Sequence, residues 1–279
     1  MPDYTFHSTI SAHEYLADVR PFLLSNEIPN NTLIRIADRV AAEAEIDPTV
    51  LFVWVTDADG RVVLAGQHTP PHHLVLSAAP GGAVDLVARE LFAAGRELGG
   101  AVGNLDSVEH FKDEWTALTS LRAEVRDRLR LLICEEVQVP SPPPGAARIA
   151  TDADYELIER WLHEFITELG LIESSNVDLR QHVIDGQFWL WCVDDVPVCM
   201  LGDRPTGQIL AHVGPVYTPS EHRRKGYAGM LTAVATAHYI AQGRIGSLYT
   251  DAANPTSNHV YESVGYHFVA EAIDYNFIE

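Results

Sequence analysis

Lysine is almost missing from this chain: 279 residues contain two, Lys112 and Lys225. Positive charge is scarce altogether, with 19 Lys and Arg against 39 Asp and Glu, a net charge of -20. A surface that acidic repels phosphate backbones and anionic lipid, so neither nucleic acid nor a membrane is expected as a partner. Cysteine is also rare. Cys134, Cys192 and Cys199 are odd in number and form no C-x-x-C, which excludes a disulfide framework and points to reduced thiols in the cytoplasm. No apolar run approaches the roughly 18 residues a membrane helix needs. Met1-Pro2-Asp3-Tyr4 lacks the basic stretch and apolar core of a secretory signal. What remains is an ordinary globular composition, 47% hydrophobic and 21% charged.

Proline is concentrated in one place. Val139-Pro140-Ser141-Pro142-Pro143-Pro144-Gly145 cannot sit inside a helix or a central strand and favours a stiff extended connector. Read as a linker, 139–145 separates an N-terminal domain, 1–138, from a C-terminal domain, 146–279, each of normal domain size. Read otherwise, it is a long surface loop.

The C-terminal half has clear punctuation. A strand at Ala147–Ala150 precedes Thr151, with Asp154 placed to complete a capping box. Leu157, Ile158, Trp161, Leu162, Phe165, Ile166 and Leu169 keep the helical period until Gly170. A second helix is expected over Val177–Ile184. A hairpin follows, Phe188–Val193 and Val196–Leu201, and then a strand at Ile209–Tyr217. Gly226–Ala241 reads as a helix, Ser247–Ala252 as a strand, Pro255–Val264 as a short helix and Tyr266–Phe277 as the last strand. The N-terminal half repeats this order faintly. Helices at His13–Leu24 and Thr32–Ala44 precede strands at Leu51–Thr56, Arg61–Gln67 and His73–Ser77. A helix at Ala83–Leu98, a strand at Ala101-Val102, a helix at Ser107–Leu118 and a strand at Arg128–Val137 complete it. The repeat of order without sequence identity suggests an internal duplication.

One segment concentrates the scarce positive charge. Arg223-Arg224-Lys225 leaves a strand and opens a helix at Gly226. Basic residues at a helix start oppose its dipole unless an anion is present. The free N–H groups there suit a diphosphate, and small Gly226, Ala228 and Gly229 let it approach the main chain. A solvated basic helix start is the plainer alternative. No dinucleotide-binding or P-loop glycine pattern occurs here.

Arg223-x-x-Gly226-x-Ala228 resembles the Q/R-x-x-G-x-G/A signature of the GNAT superfamily of acyl-CoA-dependent N-acetyltransferases. Asn254-Pro255 through Tyr261-Glu262-Ser263-Val264-Gly265-Tyr266 resembles that family's strand, asparagine and short-helix run. The resemblance covers about residues 146–279, and the N-terminal half looks like a degenerate module of the same kind. It implies an α/β fold with tandem GNAT-like domains, each a mostly antiparallel central sheet flanked by helices.

The resemblance further implies acetyl-CoA as co-substrate and no metal. Val216 and Tyr217 would offer main-chain groups to the acyl donor, and the turn Arg223, Arg224, Lys225, Gly226, Tyr227, Ala228, Gly229 would hold the diphosphate. Asn254, with Ser257 and Asn258 near it, would contact the cofactor arm. Asn254 also reads as a plain N-cap before Pro255. Tyr261 would protonate the departing thiolate, and Tyr217 would help hold the developing negative charge. The acceptor would be a small-molecule amine or a protein lysine. His212, Asp251, Glu164 and Glu168 are all open as the general base. Cys192 and Cys199 read as small buried apolar residues. Adjacent His72 and His73 make a poor metal pair. A non-catalytic acyl-CoA sensor or scaffold is the alternative function, and a homodimer is one arrangement open to the chain.

Overall fold

The computed structural model describes residues 3–43, 47–171 and 178–279. The expected helix end at Ala44 and helix start at Val177 lie outside them. Two compact units divide the chain. Unit 1 comprises Met1–Leu131 and Ala270–Glu279, and unit 2 comprises Leu132–Val269. The proline run at 139–145 thus lies within unit 2, downstream of the first division, and the last strand returns to unit 1.

Unit 1 begins with β1 (Thr5–Thr9), α1 (Ala12–Ser25) and α2 (Glu27–Ala42). There follow β2 (Leu51–Thr56), β3 (Val62–His68), β4 (Leu74–Leu76), α3 (Gly81–Ala93), β5 (Gly100–Asn104), α4 (Leu105–Thr119) and β6 (Arg122–Cys134). The sequence reading missed β1. It also began β6 too late, because Arg122–Arg130 alternates charges and reads as surface. Unit 2 contains β7 (Ala146–Ile149), α5 (Tyr155–Leu169), α6 (Leu179–Ile184), β8 (Phe188–Val193), β9 (Val196–Thr206) and β10 (Leu210–Tyr217). It continues through α7 (Tyr227–Ile240), β11 (Ile245–Asp251) and α8 (Pro255–Val264) into β12 (His267–Ile278).

The strand order in unit 1 is β1-β2-β3-β4-β5-β12, and in unit 2 it is β11-β10-β9-β8-β7. In unit 1 β4 pairs with β5 in parallel, and in unit 2 β10 pairs with β11 in parallel. The pairs β1–β2, β2–β3, β3–β4, β5–β12, β7–β8, β8–β9 and β9–β10 are antiparallel. Leu51–Val55 is an unbroken apolar run because both of its faces are covered. Val53 and Val55 join the core under α3 and α4, while Phe52 and Trp54 join the core under α1 and α2. Unit 2 repeats the arrangement. Trp189, Trp191, Cys199, Leu201 and Val213 face α7, whereas Leu190, Met200 and Tyr217 face α5. Burying one such large side chain contributes roughly 1.5–3 kcal/mol. Cys199 is fully buried as expected, but Cys192 is only half-buried. It lies near the end of β8, opposite Ala146 of β7 and Pro197 of β9.

The capping box expected at Thr151 is present, and Asp154 does more than cap. Its carboxylate accepts the Thr151 N–H at 2.8 Å and two Arg148 N–H bonds at 2.7 Å each. Arg148, ahead of the Thr151 bonds, holds this carboxyl at about 2. The stabilisation is complete above about pH 4, where unfolded aspartate is ionised, and is lost as pH falls through about 2. Asp154→Ala is expected to lower stability by about 2 kcal/mol at neutral pH. Urea unfolding checks this, and an unchanged midpoint would refute it.

Candidate active site

The parallel pair of unit 2 opens. Leu210–His212 pair with Ile245–Ser247 and the register goes no further. β10 nevertheless continues to Tyr217 and β11 to Asp251. A register irregularity against β9 falls between Val213 and Val216, at Gly214-Pro215. The β10 edge beyond His212 is therefore left by its neighbour, with main-chain donors and acceptors that need partners.

The same pair in unit 1 stays closed. Leu74–Leu76 pair with Ala101–Gly103 right to the end of β4. Gly103 has φ +141°, and a Cβ there would stand 2.2 Å from the Leu76 carbonyl oxygen. The two backbones approach more closely than any side-chain-bearing residue allows.

The turn after β10 is the cationic one. Arg223 donates from Nε to the Thr218 carbonyl at 2.8 Å, and its two terminal nitrogens bind Glu168 at 2.9 and 2.6 Å. Its side chain is thus committed to the protein, and the charge available to a ligand rests on Arg224 and Lys225. Both are exposed, and among the described residues neither has a hydrogen-bond or ion-pair partner. Gly226, at φ +84°, is the N-cap of α7 and provides no side-chain cap. The N–H groups of Tyr227, Ala228 and Gly229 in the first turn lack intrahelical acceptors. Tyr227 is buried in the α7 core. Pro143 lies 4.0 Å from where a Cβ of Gly226 would be, and Pro140 3.9 Å from that of Gly229. The proline run borders this turn.

The corresponding turn of unit 1 is filled. The Ala79 N–H donates to Ser107 Oγ at 2.9 Å. The His110 ring lies 2.8 Å from the Cβ position of Gly81, and the Tyr4 ring 3.2 Å from that of Gly82.

On α8, Asn254 Oδ1 accepts the Ser257 N–H at 3.1 Å, with Pro255 opening the helix. This is the capping geometry. Asn258 donates to the carbonyls of Asp251 at 3.2 Å and Ala252 at 3.4 Å. Its buried Oδ1 has no partner among the described residues. That orphan acceptor beside the end of β11 fits an amide N–H of a ligand arm better than Asn254 does.

Tyr261 packs edge-on to Tyr266 at 6.0 Å. Burial, and next the neighbouring Cys199, push its phenol up to about 12. Cys199 is itself pushed up to about 12 by burial, and Thr218 Oγ1 donates to its sulfur at 3.2 Å. The thiol therefore stays protonated and is a poor nucleophile.

On the opposite face, the Tyr217 hydroxyl donates to Glu164 Oε2 at 3.0 Å. Trp161 and Phe165 pack around its ring at 6.5 and 6.4 Å. Burial, then Glu164, raise the Tyr217 phenol above its ordinary range. His212 sits half-buried at the last paired position of β10, and Asp251 is exposed at the end of β11. Val216 is half-buried on the irregular stretch of β10. His73 is elsewhere, in unit 1, with Nδ1 2.5 Å from Asp274. Sequence spacing gave no sign of the Glu164–Tyr217 pair, whose members are 53 residues apart.

The FR47-like protein family matches residues 199–273, which run from within β9 into β12. No curated protein matches the sequence. Among solved structures, a GNAT-family acetyltransferase from Colwellia psychrerythraea is similar over 99% of this chain and 100% of its own, with 13% identity and a TM-score of 0.62. A tandem GNAT protein from the clavulanic acid biosynthesis pathway is similar over 98% of both chains, with 12% identity and a TM-score of 0.59. A GCN5-related N-acetyltransferase from Kribbella flavida covers 77% of this chain and 86% of its own, with 20% identity and a TM-score of 0.54. At these identities what is shared is the fold. The chain has the GNAT acetyltransferase fold, matched along its whole length by a tandem GNAT protein, with an FR47-like domain at residues 199–273.

Proposed function

We propose that the chain is an acetyl-CoA-dependent N-acetyltransferase whose working site lies in unit 2. The observation that carries this reading is the parting of β10 from β11, set against the closed pair of unit 1. One chain holds both states of the same strand pair. The open one adjoins the uncapped, cationic helix start, and the closed one adjoins a filled turn.

Acetyl-CoA supplies an acyl group already activated as a thioester. Residues 213–217 offer the β10 edge for pairing with the donor's amide groups. The free N–H groups of the first α7 turn, with Arg224 and Lys225, bind a diphosphate. Asn258 accepts from the donor arm through its orphan Oδ1. A main-chain N–H near Tyr217 meets the negative charge that develops on oxygen. Tyr261 gives a proton to the leaving sulfur. Holding acceptor and donor together supplies much of the rate, and no enzyme-bound acyl group is needed.

A saturating acetyl-CoA titration should raise the unfolding temperature, by linkage worth about 2.7 kcal/mol at a hundred times Kd. Hydrogen exchange on the full chain should slow at 216–230 and 251–261 and stay unchanged at 77–83. No shift at millimolar acetyl-CoA would refute the donor. Protection at 77–83 would refute a retired site in unit 1. Tight binding with no coenzyme A release from any amine would favour a sensor.

A further inference from the structure

Two carboxylates of α5 reach the end of β10, and they differ in what they meet. Glu168 is neutralised by the two-bond pair with Arg223. Glu164 accepts a single neutral hydrogen bond, from Tyr217. Among the described residues no cation lies within ion-pair distance of it. It is half-buried, so a ligand can reach it, and the apolar walls of Trp161 and Phe165 strengthen any charge pairing made there. Tyr217 is the last residue of the strand that has separated from β11. Its side chain belongs to the core under α5, whereas Cys199, beside Tyr261, belongs to the core under α7. The two proton-handling groups therefore flank β10 from opposite faces.

We infer that Glu164 receives the ammonium of the acceptor amine and takes its proton, with Tyr217 holding the carboxylate in place. This rests on the acyltransferase reading. The acceptor is then a primary ammonium compound, and an alcohol or thiol acceptor leaves Glu164 without its counterion. In the reaction, Glu164 takes one proton from the ammonium, which frees the nitrogen lone pair. The N–C bond forms and the C–S bond breaks. Sulfur takes its proton from Tyr261, which regains one from the nitrogen as the amide forms. Glu164 gives its proton to water, so each amide made releases one coenzyme A thiol and one proton.

The test uses Glu164→Gln beside Glu90→Gln, an exposed carboxylate on α3 of unit 1. n-Butylammonium is titrated into the full chain saturated with coenzyme A and followed by tryptophan fluorescence. Coenzyme A release with acetyl-CoA and n-butylamine is measured in parallel. Glu164→Gln should weaken amine binding at least tenfold and lower kcat/KM by about ten- to a hundredfold, a range limited because water also accepts the proton. Glu90→Gln should match wild type in both. Tyr217→Phe should raise KM more than it lowers kcat. Amine binding unaffected by Glu164→Gln overturns the assignment, whatever the turnover. Binding that depends on Glu164 in a wild type that releases no coenzyme A upholds the ammonium site and refutes the enzyme reading alone.

Discussion

Replacing Tyr261 by phenylalanine is expected to lower kcat for coenzyme A release by about a hundred- to a thousandfold while leaving the acetyl-CoA thermal shift intact. The substitution keeps the ring that packs on Tyr266 and removes only the hydroxyl, so the fold has little reason to change. With its phenol pushed up to about 12, Tyr261 carries its proton throughout the working pH range. An ordinary thiolate is a weaker base than this phenolate, so the transfer relies on the leaving sulfur being as buried as Cys199, whose thiol is raised to the same level. The neighbouring Cys199 cannot substitute, because burial raises its thiol equally. Steady-state assays and thermal shifts on the same preparations separate chemistry from binding. A kcat within threefold of wild type would mean that solvent protonates the sulfur.

Asp203 should draw stability down as pH rises from about 4 to about 7, in opposition to the buried His68, whose lowered pKa acts the other way. This residue of β9 lies opposite Val213 and is buried. Its Oδ1 accepts from Tyr239 at 3.2 Å, Trp189 supplies another side-chain hydrogen bond, and Oδ2 has no partner among the described residues. Arg244 acts on Tyr239 but spends a hydrogen bond on the Leu210 carbonyl. Burial pushes the Asp203 carboxyl up to about 7 from 3.8. Between those values the folded chain keeps a proton that the unfolded chain gives up. Its stabilising effect is whole below about pH 4, declines through the interval and is gone above about 7. The loss is about 4 kcal/mol. Asp203→Asn never ionises. It should match wild type near pH 4 and exceed it by about that amount at pH 8, as read from urea midpoints. Equal pH dependence in the two chains would refute this.

These two groups differ in how far the sequence reveals them. Tyr261 is proposed as the acid already from the sequence, because the run that carries the resemblance, from Asn254 to Tyr266, is local. The cationic turn could be found for the same reason: contiguous charge in a chain with few bases is visible without a fold. Asp203 could not, since DRPT after an apolar strand reads as the strand's polar exit. Only the structure extends β9 to Thr206 and places α7 over it. In the sequence Glu164 is one acid among several on a helix; only the structure shows that Tyr217 donates to it and that Arg223 pairs with Glu168 instead. Asn254 and Asn258 show the opposite limit. Their types and positions were legible, but which one retains a free acceptor depends on hydrogen bonds that spacing does not encode.

The return of Ala270–Glu279 to unit 1 also sets an order of events during synthesis. Residues 132–269 are contiguous and leave the ribosome as one complete unit. The first 131 residues do not, because the strand that pairs Ala272–Asn276 with β5 is made after residues 132–269. Until then β5 has an unpaired edge, and the places of Ile273, Tyr275 and Phe277 in the core stand empty. The half translated first is thus the half completed last. Chaperone capture of the nascent chain should centre on β5 and end with the emergence of β12.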